Sequence, residues 1–119
     1  MKGFQQTISF NRQHLQICLI AVLSLHKLEL TGPAGTVRIT ATEATLLQAF
    51  SQSPDTRLDF AQVAQCMGIA LTEEQKANIQ VRMVRLRKKL HAAGAEGAVI
   101  EAIRNVGYQF FDELEVRKS

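Results

Sequence analysis

The sequence predicts an α+β domain: a strand-rich N-terminal third, then three helices in series, then a C-terminal β-hairpin. Three observations carry this. The chain before Thr40 is rich in β-forming residues. At three successive places a capping side-chain oxygen stands three residues before a Glu or Gln. Near the C-terminus, two short apolar runs flank Asn105-Val106. The 119 residues are 46% hydrophobic and 21% charged, with seven Gly and two Pro. That length suits one domain over residues 1–119, burying roughly 65% of the surface of its unfolded chain. The apolar content and a net charge of only +3 exclude a disordered chain.

Taken in order, Thr7 to Phe10, Leu15 to Leu23, Leu25 to Thr31 and Thr36 to Thr40 read as strands, so residues 1–40 form an antiparallel sheet. The last two strands flank Gly32-Pro33-Ala34-Gly35, a composition suited to a tight turn. The run from Leu15 carries no clean period of two, which leaves a buried helix as its alternative. Residues 41–94 hold the helices. Thr40-Ala-Thr-Glu43 opens the first, from Ala41 to about Gln52, with Leu46, Leu47 and Phe50 as its apolar stripe. Asp59-Phe-Ala-Gln62 opens the second, from Phe60 to Met67, with Gly68 as a left-handed C-cap. Thr72-Glu-Glu-Gln75 opens the third, from Glu73 to about Ala93, stopping at Gly94. The closing hairpin, residues 99–111, pairs Val99 to Arg104 with Gly107 to Phe111. Phe4, Phe10, Phe50, Phe60, Phe110 and Tyr108 are core candidates, and Phe111 is expected to be partly exposed, because neighbours in a strand point to opposite faces.

Several functional classes fall away. The apolar run Leu15 to Leu25 has 11 residues, against about 20 needed to span a bilayer. It lacks the cleavage site and position of a signal peptide. Cys18 and Cys66 form no CxxC and no metal-ligand spacing, and read as buried reduced thiols of a cytoplasmic protein. His14, His26 and His91 share no ligand spacing, although His91 lies beside a basic run and is a minor phosphate candidate. No nucleophile elbow, phosphate-cradling Gly loop or carboxylate pair is present, so neither catalytic residues, nor a metal, nor a cofactor is expected. Glu73 and Glu74 suit the positive end of a helix dipole better than acid–base chemistry.

The charge is unevenly distributed. Up to Gln75 the net is −1, from Lys76 to Arg104 it is +5, and the remaining tail returns to −1. The excess sits on the third helix and the hairpin, which points to a polyanionic partner. With Ile79 set at zero on a helical wheel, Met83, Leu86 and Leu90 fall at about 40°, 340° and 20°, an apolar stripe. Asn78, Arg82, Arg85 and Lys89 fall at about 260°, 300°, 240° and 280°, an adjacent polar row. Val81, at about 200°, is placed to touch a thymine methyl. A DNA major groove admits one such helix, where Arg or Lys reads guanine and Asn reads adenine. Remaining cations neutralise phosphates. About four residues separate the second and third helices, a helix–turn–helix spacing, and Arg104 lies at the hairpin tip. Charge alone would fit a solvated helix face; the spacing and hairpin favour nucleic acid.

Three segments resemble motifs of one family. Ile39-Thr40-Ala-Thr-Glu43-Ala-Thr-Leu46-Leu47 is similar to its first-helix motif LTxxExxLL. Val81-Arg-Met-Val-Arg85-Leu86-Arg87-Lys88-Lys89-Leu90 is similar to its recognition-helix ending VxIxxLRxKL. Ile100-Glu-Ala-Ile-Arg104-Asn-Val-Gly107-Tyr108 is similar to its wing motif IxTVRGxGY. From Leu25 to Phe111 the chain resembles the OmpR/PhoB-type winged-helix effector domain of bacterial response regulators. The resemblance implies a winged helix-turn-helix with a recognition helix over about 73–93. It implies sequence-specific binding to double-stranded DNA in transcription regulation. Asn78, Val81, Arg82 and Arg85 match positions facing the major groove. Arg87 matches a backbone-reaching position, Arg104 the wing arginine directed to the minor groove, and Tyr108 a position near the phosphates or the core. Lys88 joins these as a phosphate-neutralising cation, and Lys89 rests on the wheel alone.

Departures from the pattern carry information. Val84 stands where relatives often carry a basic residue, which would remove one contact. Ala102 replaces the wing Thr, and Asn105 replaces a Gly, although Asn tolerates a positive φ. The loop Gly68 to Leu71, where some relatives contact RNA polymerase, is short. No phosphoacceptor receiver domain is expected in these residues. The family's usual mode places two copies head-to-tail on direct repeats, and a homodimer is the other assembly to test. Val84 and the Leu15 to Leu25 segment support an alternative: a winged-helix protein–protein interaction module with weak or no specific DNA binding.

Overall fold

The computed structural model describes residues 20–118. Strand β1 (Ile20–Ser24) turns into β2 (Glu29–Gly32), and β2 into β3 (Gly35–Arg38). Helix α1 (Ala41–Gln52), strand β4 (Arg57–Asp59), helix α2 (Phe60–Met67) and helix α3 (Glu73–Ala93) follow. Strands β5 (Ile100–Ile103), β6 (Gly107–Phe110) and β7 (Glu113–Arg117) complete the chain. Two sheets result, ordered β3-β2-β1-β7 and β4-β6-β5, so the α+β winged-helix architecture is as expected.

All three helices have the predicted bounds, because their ends are set locally. At α1 the Thr40 hydroxyl accepts from the Glu43 N–H at 3.1 Å, and a Glu43 carboxylate oxygen accepts from the Thr40 N–H at 2.9 Å. The Asp59–Gln62 pair repeats this at α2, at 2.7 and 2.9 Å, and α2 ends on Gly68 with φ 70°. The expectation for α3 was half right. Thr72 accepts from the Gln75 N–H at 3.3 Å, but the Gln75 side-chain oxygen accepts instead from the Asn78 amide at 3.0 Å. The reciprocal half of that box is therefore missing.

The strands depart further from expectation. The predicted strand from Leu25 begins at Glu29, because residues 25–28 form the β1–β2 turn. There the Leu28 N–H donates to the Ser24 carbonyl at 2.9 Å. Leu28 holds a φ of 54°, a conformation costing a leucine about 1–2 kcal/mol, and packs against the core, which offsets that cost. Of the long apolar run, Ile20 onward is strand; the remainder, with the strand expected at Thr7 to Phe10, Phe4 and Cys18, lies outside the described residues. Strand β4 was not expected: three residues are too few to show a period. Strand β7 was not expected either, and it pairs parallel to β1, Ile20 opposite Glu113 through Ser24 opposite Arg117. The expected antiparallel sheet is thereby mixed. Its alternation is legible in retrospect, since Leu114 and Val116 pack on the core between Glu and Arg.

The core joins Leu46, Leu47 and Phe50 of α1, Val63, Ala64 and Met67 of α2, and the α3 stripe Ile79, Met83, Leu86, Leu90. Phe50 stacks on Phe110 with ring centroids 5.9 Å apart, and Phe60 meets Tyr108 edge-on at 5.9 Å. Phe111 is exposed, as its neighbour's burial requires. The β2–β3 turn docks on the end of α3, where the Ala34 N–H donates to the Ala93 carbonyl at 2.9 Å. This contact supplies a partner to one of the carbonyls a helix end leaves open. It also ties the N-terminal sheet to the helix that carries the charge. Among the described residues no helix is long and apolar enough to cross a membrane.

Candidate nucleic-acid interface

Helix α3 divides as its wheel demands. Ile79, Met83, Leu86, Leu90 and Ala93 are buried, and the opposite side is open. Asn78, Val81, Arg85 and Lys88 are exposed there, with Arg82 half-buried at the margin. Acidic Glu73 and Glu74 occupy the first turn, and Glu73 pairs with Lys76 at 2.8 Å. The exposed cations follow in later turns, the order the helix dipole favours. Asn78 donates to Gln75, which orients its amide on the outer face.

Two of the predicted cations are engaged within the protein. The Lys89 ammonium lies 2.7 Å from the Glu43 carboxylate, the same oxygen that accepts from the Thr40 N–H. At about 280° on the wheel, Lys89 borders the buried stripe, so its stem reaches α1. Arg87 donates from Nε to the Ile100 carbonyl at 2.6 Å, which fastens α3 to the first strand of the wing. The wheel puts Lys89 in one row with Arg85 and puts Arg87, at about 80°, on the far flank of the buried stripe. It names neither partner, because these lie 46 and 13 positions away in the chain.

Glu43 is the one buried charged residue among the described residues, at 7% exposure. Replacing it with alanine removes the acceptor of an N-terminal N–H and leaves the Lys89 charge without its partner. Lys89 keeps 31% of its side chain in solvent, so the cost falls below that of a fully buried pair. We expect about 2 kcal/mol from urea unfolding of Glu43→Ala. Glu43→Gln, which keeps an acceptor for Thr40, should lose less; equal losses in both would show that the ion pair, not the cap, holds this corner.

The wing is strands β5 and β6, with Ile103 opposite Gly107. Its turn closes through a Val106 N–H donated to the Ile103 carbonyl at 2.9 Å. Asn105 takes a φ of 64°, so the family's glycine is replaced without loss of the turn. Arg104 and Val106 project from this tip into solvent. The Phe60 N–H donates to the Val106 carbonyl at 3.2 Å, which ties the wing to the start of α2. Strand β4 adds a third strand beneath, where the Arg57 guanidinium donates to Gln109 Oε1 at 3.0 Å.

Tyr108 is a core residue, 4% exposed. Burial pushes its phenol up from the ordinary value, and the nearby Arg87 charge opposes part of that rise. Cys66 is free and half-buried rather than fully buried, and burial pushes its thiol up, away from the reactive thiolate. His91 Nε2 lies 2.8 Å from the Gly97 carbonyl. Among the described residues no three His, Cys, Asp or Glu side chains are grouped to hold a metal ion. Val84, which the sequence marks both as a missing basic contact and as support for a protein-interaction surface, is 44% exposed, in keeping with its wheel angle of about 140°.

Comparisons with known proteins agree with this arrangement. The DNA-binding domain of CpxR from E. coli is similar in structure, with a TM-score of 0.61 and 24% identity over 78% of this chain and 88% of that one. The C-terminal domain of the nisin resistance regulator NsrR, a lantibiotic response regulator, gives a TM-score of 0.57. Its identity is 21%, over 88% of this chain and 96% of that one. At such identities these two show a shared fold. No curated protein matches the chain by sequence. Residues 34–110 match the family described as the C-terminal domain of transcriptional regulatory proteins, a family of regulators rather than enzymes. They take in strand β3, all three helices and the wing, and the chain belongs to that family.

Proposed function

We propose that this domain binds double-stranded DNA sequence-specifically, as the effector part of a bacterial transcription regulator. One observation carries the reading: α3 buries one side completely and presents Asn78, Val81 and Arg85 on the other, with Arg82 half-buried at the margin between them. A convex helix with that surface matches a major groove in width and in donor chemistry. In this reading α3 enters the major groove, Arg104 at the wing tip reaches toward the adjacent minor groove, and Lys88 neutralises phosphate. Lys89, Arg87 and Tyr108 hold the reading helix and wing in place, since each has a partner within the protein or lies in its core. Two copies on direct repeats, and a contact with RNA polymerase, complete the family's mode of action.

The test is site selection from random duplexes, followed by titration of a selected duplex at several salt concentrations. We expect log K to fall with log salt at a slope of roughly −3 to −5 per copy. We also expect the selected sites to share a sequence at direct-repeat spacing. A flat salt dependence, with no enriched sequence, would overturn the proposal.

A further inference from the structure

The outer face of α3 carries an apolar feature that charge-based recognition does not use. Val81 is 48% exposed and Val84 44% exposed. They stand three residues apart, about 4.5 Å along the helix axis and about 60° around it, so their methyl groups form one short stripe. Ala77, also exposed, continues it toward the N-terminus. Arg85 and Lys88 border the stripe, with Arg82 beyond them. An apolar partner surface would have to desolvate these cations, whereas a duplex neutralises them while offering one apolar group in the same groove. That group is the 5-methyl of thymine.

We propose that Val81 and Val84 together read two thymine methyl groups on neighbouring base pairs, so that Val84 selects for a thymine where a basic residue would contact phosphate. This rests on the DNA-binding reading and makes it more specific. The axial spacing of about 4.5 Å is close to the 3.4 Å between successive bases of one strand, which places the two methyls one step apart. Neither valine contributes charge, so the stripe affects which site is bound and leaves the salt slope unchanged.

The experiment replaces each thymine of a selected duplex, one at a time, with deoxyuridine. This removes only the methyl group and leaves base pairing intact. Two replacements on neighbouring base pairs should each weaken binding by about 4-fold, the value of one buried methyl. Val84→Ala should lose the sensitivity at one of them, and Val81→Ala at the other, with the salt slope unchanged in both. Thermal unfolding verifies that these exposed substitutions leave the fold intact. If no thymine responds while salt-dependent binding to the selected site persists, the stripe is overturned and the DNA reading stands. If sensitivity survives Val84→Ala at both positions, Val84 is not a reader and the proposal fails. If no duplex is bound at all, the reading on which it rests falls with it.

Discussion

Gly107→Ala is expected to lower the thermal midpoint by roughly 10 °C or more. A methyl group at this position would overlap the Leu58 carbonyl oxygen and stand 2.6 Å from the Asp59 Cα. Both obstacles are backbone, so no change of rotamer relieves them. Strand β6 must move away from β4, to which Gly107 is paired through Asp59. Asp59 is also the N-cap of α2 and accepts from the Gln62 N–H at 2.7 Å, so the displacement reaches the helix. Overpacking of this kind costs about 3 kcal/mol, the upper end of its usual range. Amide exchange should quicken first along β4 and β6, whose ladder is the part forced open. A midpoint within about 2 °C of the parent would mean that the two strands do not approach as closely as described.

Replacing Arg82 and Arg85 together with alanine is expected to weaken binding to a selected duplex by at least about 30-fold. Each bidentate contact to guanine contributes about 1–3 kcal/mol of discrimination, and a 1.4 kcal/mol difference is about tenfold in affinity. The fold should be spared, because Arg85 is exposed and Arg82 lies at the margin of the core stripe. Arg85→Lys separates charge from geometry. The ammonium retains attraction to phosphate but lacks the planar fork, so salt dependence should persist while discrimination between selected and random duplexes falls. Undiminished binding by the double variant would remove the row from DNA recognition. Loss of a protein partner in that same variant would then favour the protein-interaction alternative.

The contrast between Arg85 and Lys89 shows how far the sequence could be read. Both lie in the polar row of the wheel, and both fit a helix that approaches DNA. Periodicity assigns each residue an angle, but whether a long side chain near the boundary turns outward depends on what stands beside it. Glu43 stands beside Lys89, and that neighbour comes from another helix. Arg87 is fastened to the Ile100 carbonyl for the same kind of reason. Backbone acceptors are present at every residue, so their position is set by the path of the chain. Val84 is the opposite case: its angle of about 140° is readable from the sequence, and its exposure follows from that angle without any partner from elsewhere in the chain.

Local chemistry determined the helices from the sequence alone. Thr40, Asp59 and Thr72 satisfy N–H groups within three residues of themselves, and Leu46, Leu47 and Phe50 or Ile79, Met83 and Leu86 declare a buried face by spacing. The concentration of charge between Lys76 and Arg104 was likewise a property of the linear chain, as were the three family-like segments. Only the tertiary structure decided that β4 exists, because its three residues gain stability by pairing with β6. It also decided that the C-terminal residues 113–117 return to pair parallel to β1, a hydrogen-bond ladder between segments separated by almost the whole described chain. The cations were divided in the same way. Which remain for a ligand and which brace the helix depends on partners that folding alone brings within about 3 Å.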